Sequence, residues 1–211
     1  MKLGEICHPS AGARDRVRVS YETVSKTTSP IGVAGVSPNS DTLLWQERKG
    51  WLPLSINLVP SEVLSSHWDA VEKGAALAGK KANRSTWRIA KEIYVADTTA
   101  QAREEVLEGT IGRDFQDYFI PLMSYMDSLS LFKGNNEIAD SDVTPEYLLD
   151  NVWIVGSIDD VTEQLRQLFR DTGGFGVLLA MGHEWNPYDK WLKSMQYLSE
   201  DVMPNLADLK L

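Results

Sequence analysis

Ile31-Gly32-Val33-Ala34-Gly35-Val36-Ser37-Pro38-Asn39-Ser40 passes from an apolar run into a polar turn. Ile31 to Ala34 has the character of a short buried strand. Ser37-Pro38 has the character of a helix start, with serine at the N-cap and proline at the first helical position. The helix so opened would carry Leu43, Leu44 and Glu47 and stop at Gly50. A strand feeding directly into a helix is the repeating unit of parallel α/β folds.

The unit recurs downstream. Leu52 to Leu58 alternates as a strand, and Ser61 is placed to cap a helix whose Leu64, Trp68, Val71, Ala75 and Ala78 form one apolar stripe, with Gly79 as its stop. Trp87 to Ala96 is the third strand, with Ile89, Ile93 and Val95 as its apolar members. Thr98 and Gln101 then form a capping pattern for the next helix. Ser157 with Asp160 opens a helix with an inner face of Val161, Leu165, Leu168 and Phe169, and Gly173-Gly174 ends it. Phe175-Gly176-Val177-Leu178-Leu179-Ala180-Met181 is a near-continuous apolar strand, the pattern that parallel sheets require. Asn186-Pro187 caps a last helix with Trp191, Met195, Leu198 and Val202 on its buried side. Four strand–helix units imply right-handed βαβ connections.

Two segments break the rhythm. Residues 1–29 mix Gly, Pro, Ser, Thr and Arg with little periodicity and read as an N-terminal arm, joined through the linker-like Lys26-Thr27-Thr28-Ser29-Pro30 to a domain spanning 30–211. Residues 110–150 read as an insertion with scattered aromatics (Phe115, Tyr118, Phe119, Tyr125, Phe132) and the polar loop Gly134-Asn135-Asn136-Glu137. Insertions beyond about 15 residues are usually functional or mobile.

The 211 residues suffice for one domain with a real core, and the 43% apolar content argues against disorder. With 30 acidic against 21 basic residues, net charge −9, the chain is no polybasic binder of nucleic acid or anionic membrane. No apolar run approaches a membrane span, and the start lacks a signal-peptide core. The single cysteine, Cys7, suits a reducing, cytoplasmic setting. Three scattered histidines and one cysteine give no metal-ligand spacing, so no metal is expected.

Three places invite a ligand. At Gly35, Val36, Ser37 and Ser40 a strand feeds a helix, where free backbone N–H groups, the helix dipole and two hydroxyls suit a phosphate; an ordinary Ser-Pro cap with no ligand accounts for the same residues. Gly182-His183-Glu184-Trp185 follows the last strand. His183 can transfer protons, Glu184 can orient it or bind a polar group, and Trp185 can stack on a planar ligand; an idle surface loop is the alternative. Ser55 and Asn57, near the end of the second strand, share a face by alternation and can line a pocket mouth or simply be solvated. His8 lies in the unpatterned arm and His67 beside Trp68 on a helix. The charged Arg103-Glu104-Glu105 and Asp201 read as solvated helix faces.

Four stretches, in order and spacing, resemble the bacterial-luciferase-like flavin-dependent monooxygenases: Pro30 to Pro38; Ile93-Tyr94-Val95-Ala96-Asp97-Thr98 with Ala102-Arg103-Glu104; Val155-Gly156-Ser157 with Asp159-Asp160-Val161; and Gly173 to Leu179. The resemblance covers roughly residues 30–205. It implies a TIM-type (β/α) barrel that binds reduced flavin, usually FMN and in some relatives a deazaflavin, activates dioxygen and inserts oxygen into a small organic substrate. It implies that the turn from Gly35 to Ser40 holds the flavin phosphate, through Ser37 and Ser40, and that residues 110–150 act as a lid. His183 and Glu184 are then the expected catalytic pair, with Asn57 and Trp185 at the flavin. The four strands correspond to the last four strand–helix units, a partial barrel. A full barrel needs eight strands and about 250 residues. The isolated chain is therefore expected to be weakly active or inactive, a flavin-binding fragment or a barrel-completing subunit, and to self-associate through its open edges.

Overall fold

The structure, a computed structural model, describes residues 4–7, 16–19, 30–134 and 137–211. The chain divides into two units, Met1–Ile31 and Gly32–Leu211. Within the first, β1 (Gly4–Cys7) and β2 (Arg16–Val19) pair antiparallel, Gly4 opposite Val19 and Cys7 opposite Arg16. The arm thus contains a strand pair that its mixed composition conceals. His8 and most of the linker reading at 26–30 lie outside the described residues.

The second unit holds β3 (Gly32–Gly35), α1 (Asp41–Lys49), β4 (Leu52–Ser55), α2 (Ser61–Leu77), β5 (Arg88–Lys91), β6 (Ile93–Val95) and α3 (Thr99–Glu108). There follow α4 (Thr110–Asp114), a π-helical turn at Phe115–Phe119, α5 (Ile120–Tyr125), α6 (Ser130–Lys133), α7 (Pro145–Asn151) and β7 (Ile154–Gly156). The chain closes with α8 (Ile158–Thr172), β8 (Val177–Ala180), α9 (Tyr188–Tyr197), a π-helical turn at Leu198–Val202 and α10 (Met203–Asn205).

One parallel sheet has the order β3-β4-β5-β8, and β6 and β7 form a parallel pair. This is the α/β architecture of a partial barrel. The expected third strand is two strands, because its ladder changes partner at Glu92. The Lys91 carbonyl accepts the Met181 N–H, whereas the Glu92 carbonyl accepts the Ile154 N–H. With that strand divided, the four expected become five, and β7 is a sixth parallel strand that was not expected. The free Val95 N–H of β6 is taken by the Ser194 hydroxyl of α9, so a helix side chain stands where another strand would.

The helices pack on one face of the sheet. Val63, Leu64, Trp68 and Val71 of α2 and Val161, Leu165 and Leu168 of α8 close on Ile89 and Ile93. Burying each such side chain contributes about 1.5–3 kcal/mol. A second cluster joins Tyr94, Val106, Phe115, Phe132, Leu148, Trp153 and Trp191. Phe115 and Phe132 of the insertion are thus core, and the insertion is largely helical rather than irregular. Tyr118 and Tyr125 remain exposed.

Several helix signals act as read. Thr98 accepts the Gln101 N–H and Ser157 the Asp160 N–H. Gly50, Gly79 and Gly173 end their helices at positive φ. Others shift. α1 begins at Asp41, not Pro38, because Ser37 to Asn39 form a turn with Asn39 at φ 52°. Pro60, not Ser61, holds the N-cap of α2, without a side-chain cap. Pro187 precedes α9 likewise, without a cap from Asn186. β8 is apolar throughout yet only partly covered, with Leu179 37% exposed, and among the described strands it pairs with β5 alone.

Candidate functional site

Polar side chains gather where the parallel strands end. Glu92, between β5 and β6, is completely buried in a largely apolar strand. A buried carboxylate must be paired. One oxygen, Oε1, accepts from the Asn57 amide at 2.6 Å and lies 3.4 Å from His183 Nε2, an ion-pair approach rather than a formed hydrogen bond. Among the described residues the other, Oε2, has no hydrogen-bond partner, nor has His183 Nε2.

His183 follows β8 and is nearly buried, its side chain 8% exposed. Its Nδ1 lies 2.8 Å from Asp114 Oδ2 at the end of α4. An ionised carboxylate only accepts, so Nδ1 donates. Burial alone would lower the His183 pKa, but Glu92 and then Asp114 outweigh it and raise the value above the ordinary one. Asp114 is partly exposed and approached by Arg113, which also bonds Glu184 at 2.8 Å. Phe115 and Trp191 pack beside the His183 ring, and Trp185 stacks over Trp191 at 14° while remaining 40% exposed.

The second polar feature is the turn from β3 into α1. Gly35 permits a close approach, since a Cβ there would meet Leu43 Cδ1 at 2.3 Å. Ser40 is buried at the start of α1, its carbonyl accepting the Leu44 N–H, while Ser37 faces solvent. The turn offers hydroxyls and helix-terminal N–H groups, the donor set that suits a phosphate.

The family described as luciferase-like monooxygenase matches residues 4–175. The chain belongs to the luciferase-like monooxygenase family. It is 33% identical over 179 residues to 3,6-diketocamphane 1,6-monooxygenase of Pseudomonas putida, covering 83% of this chain and 47% of that protein. Among solved structures it is similar to the oxygenating constituent of 3,6-diketocamphane monooxygenase from the CAM plasmid of Pseudomonas putida, a type II Baeyer-Villiger monooxygenase in complex with FMN. The TM-score is 0.77 at 27% identity, over 96% of this chain and 58% of that one. The coenzyme F420-dependent tetrahydromethanopterin reductase of Methanopyrus kandleri shares the fold, with a TM-score of 0.53 at 16% identity over 83% and 50% of the two chains. The chain spans about half the length of the curated relatives it matches.

Within this luciferase-like half barrel, the residues singled out in the sequence fall in three groups. Asn57 and His183 meet at Glu92. Glu184 turns to Arg113, and Asp114 is the group that orients His183. Ser55 and Asn57 do not share a face, because β4 ends at Ser55. Ser55 points under the sheet to His67 and Trp87, while Asn57 turns to Glu92. Gly35, Val36, Ser37 and Ser40 form their own cluster at the first turn. Glu92 and Asp114 escaped the sequence reading. For Glu92 the signal was two adjacent charges, Lys91-Glu92, inside an apolar strand. Glu105, read as a solvated helix residue, accepts from Tyr94, Gln101 and Lys190.

No helix among the described residues is long and apolar enough to cross a membrane. No group of three or more His, Cys, Asp or Glu among them is placed to hold a metal ion.

Proposed function

We propose that this chain forms the phosphate-holding half of a flavin-dependent monooxygenase barrel that inserts oxygen from dioxygen into a small organic substrate. The observation that carries the reading is Glu92: a fully buried carboxylate at the strand ends with one oxygen that finds no hydrogen-bond partner among the described residues. A flavin ring presents N–H groups, which such an acceptor satisfies, and the Ser37–Ser40 turn presents donors to a phosphate. The residues fit FMN at these two ends. A deazaflavin phosphate would use the same turn.

Reduced flavin, when bound, supplies the two electrons that activate dioxygen. The chain's residues bind, orient and manage protons. Gly35, Val36, Ser37 and Ser40 would hold the phosphate. Asn57 fixes the Glu92 carboxylate. His183 holds a proton at Nδ1 against Asp114, and Arg113 ties Asp114 and Glu184 together at the rim, so Glu184 acts on His183 indirectly. Trp185 would give a planar wall. The 110–150 segment would exclude water, which strengthens electrostatics inside the site.

The partly covered β8 favours a second feature of the same reading. The barrel is completed by further polypeptide, through self-association or pairing at the open edges, and the isolated 211 residues turn over weakly or not at all. A flavin-binding, non-catalytic subunit is the corresponding alternative.

Replacing Ser37 and Ser40 together by alanine should weaken FMN by about a hundredfold or more, as for the loss of two hydrogen bonds to a charged group, and riboflavin hardly at all. Fluorescence titration with both ligands measures this. Equal losses for both ligands would remove the phosphate role.

A further inference from the structure

Helix α2 grips the β3–α1 turn with two consecutive residues. The Ser66 hydroxyl accepts the Asn39 N–H at 3.0 Å and donates to the Val63 carbonyl at 2.7 Å. His67, completely buried, places Nε2 3.0 Å from the Ser37 carbonyl and Nδ1 2.9 Å from the Ser55 hydroxyl. Ser55 Oγ in turn lies 2.9 Å from Trp87 Nε1.

The chemistry assigns every proton in this chain of contacts. An indole N–H only donates, so Ser55 Oγ accepts it. The Ser55 hydroxyl proton then goes to His67 Nδ1. The Ser37 carbonyl only accepts, so Nε2 carries the ring proton. His67 is the neutral Nε2–H tautomer, consistent with burial lowering its pKa. The turn itself is unfavourable in isolation. Asn39 sits at φ 52°, a left-handed conformation that a non-glycine residue keeps only where its surroundings hold it. What holds it is α2, itself anchored through Val63, Leu64, Trp68 and Val71. Ser66 fixes an N–H and His67 a carbonyl, so the turn is clamped at both polarities.

We propose that Ser66 and His67 are positioning residues that set the spacing of the Ser37 and Ser40 hydroxyls and thereby determine selectivity for a phosphorylated over an unphosphorylated flavin. The inference rests on the phosphate reading above and extends it to residues that never touch the ligand.

The test compares wild type, S66A, H67Q and H67L in the 211-residue chain, titrated with FMN and with riboflavin. Glutamine keeps one donor and one acceptor, whereas leucine keeps bulk without either. H67L and S66A should each lose about tenfold of the FMN-to-riboflavin preference, and H67Q should keep it within about threefold. Amide exchange of the flavin-free proteins supplies a readout that needs no ligand and covers a variant that folds poorly. Asn39 should exchange about tenfold faster in S66A, and the turn amides faster in H67L, while Met181 on the β8 side stays protected. If wild type shows no preference for FMN, the phosphate reading falls and this proposal with it. If wild type shows the preference and H67L and S66A retain it, or if the turn amides are unmoved, the phosphate reading stands and the clamp is overturned.

Discussion

At His67, burial lowers the imidazole pKa against the weaker opposing effect of hydrogen bonds that the ring donates to the Ser37 and Val36 backbone. At His183, burial is outweighed by Glu92 and then Asp114, and the pKa is raised. The two have opposite consequences for stability. An unfolded histidine titrates near about 6.5. Below that value the unfolded chain binds more protons at His67 than the folded one, so this site costs stability as pH falls. At His183 the folded chain holds its proton more tightly, so the stabilisation is complete below about 6.5 and fades as pH rises through the raised value. Urea unfolding from pH 5 to 9 should therefore show the advantage of wild type over H183N shrinking above about pH 6.5, and its advantage over H67Q shrinking below it. Curves that run parallel across the range would refute the assignment. The partners of these rings were only partly legible. Lys91-Glu92 stands out once two charges inside a buried strand are required to find partners. Lys91 donates to the Val59 and Val152 carbonyls, and Glu92 meets Asn57 and His183. Asp114 gave no local signal, because it meets His183 only through the folding of a segment 69 residues away.

Helices α1 and α2 approach at a glycine. A Cβ on Gly74 would meet the Leu44 carbonyl oxygen at 2.2 Å, a backbone atom that no rotamer change can remove. Gly74→Ala should separate the two helices and cost about 1–3 kcal/mol, measured as a lower urea midpoint at unchanged m-value. A neutral result would mean that α1 shifts freely. Element types were legible wherever a local rule operates. The caps at Thr98 and Ser157 and the glycine stops at 50, 79 and 173 depend on residues a few positions apart. β7 escaped because its three residues are shorter than any periodic window, and their strand character comes from pairing with β6. The start of α1 was misplaced for a related reason. Ser37-Pro38 has the composition of a cap, but α2 draws the turn into a left-handed step at Asn39 before the helix begins.

For the molecule as a whole, the proposed partial barrel makes the β8 edge the expected place of association. Exposed strand edges recruit other strands. Sedimentation of the 211-residue chain should show concentration-dependent association, and Leu179→Lys should weaken it; a monodisperse monomer indifferent to that change would count against association through β8. Fold class was readable at this scale because strand–helix alternation is a pattern of the entire chain, whereas the order β3-β4-β5-β8 depends on a long-range closure. That closure also fixes a timetable. β5 pairs with β8 from Arg88–Val177 to Lys91–Ala180, with the whole insertion and α8 between them. During synthesis at about 5–20 residues per second, roughly 4–17 s pass between the emergence of Lys91 and that of Val177. For that interval β5 presents a bare edge, and whichever strand arrives first decides whether the nascent sheet closes on itself or on a neighbour.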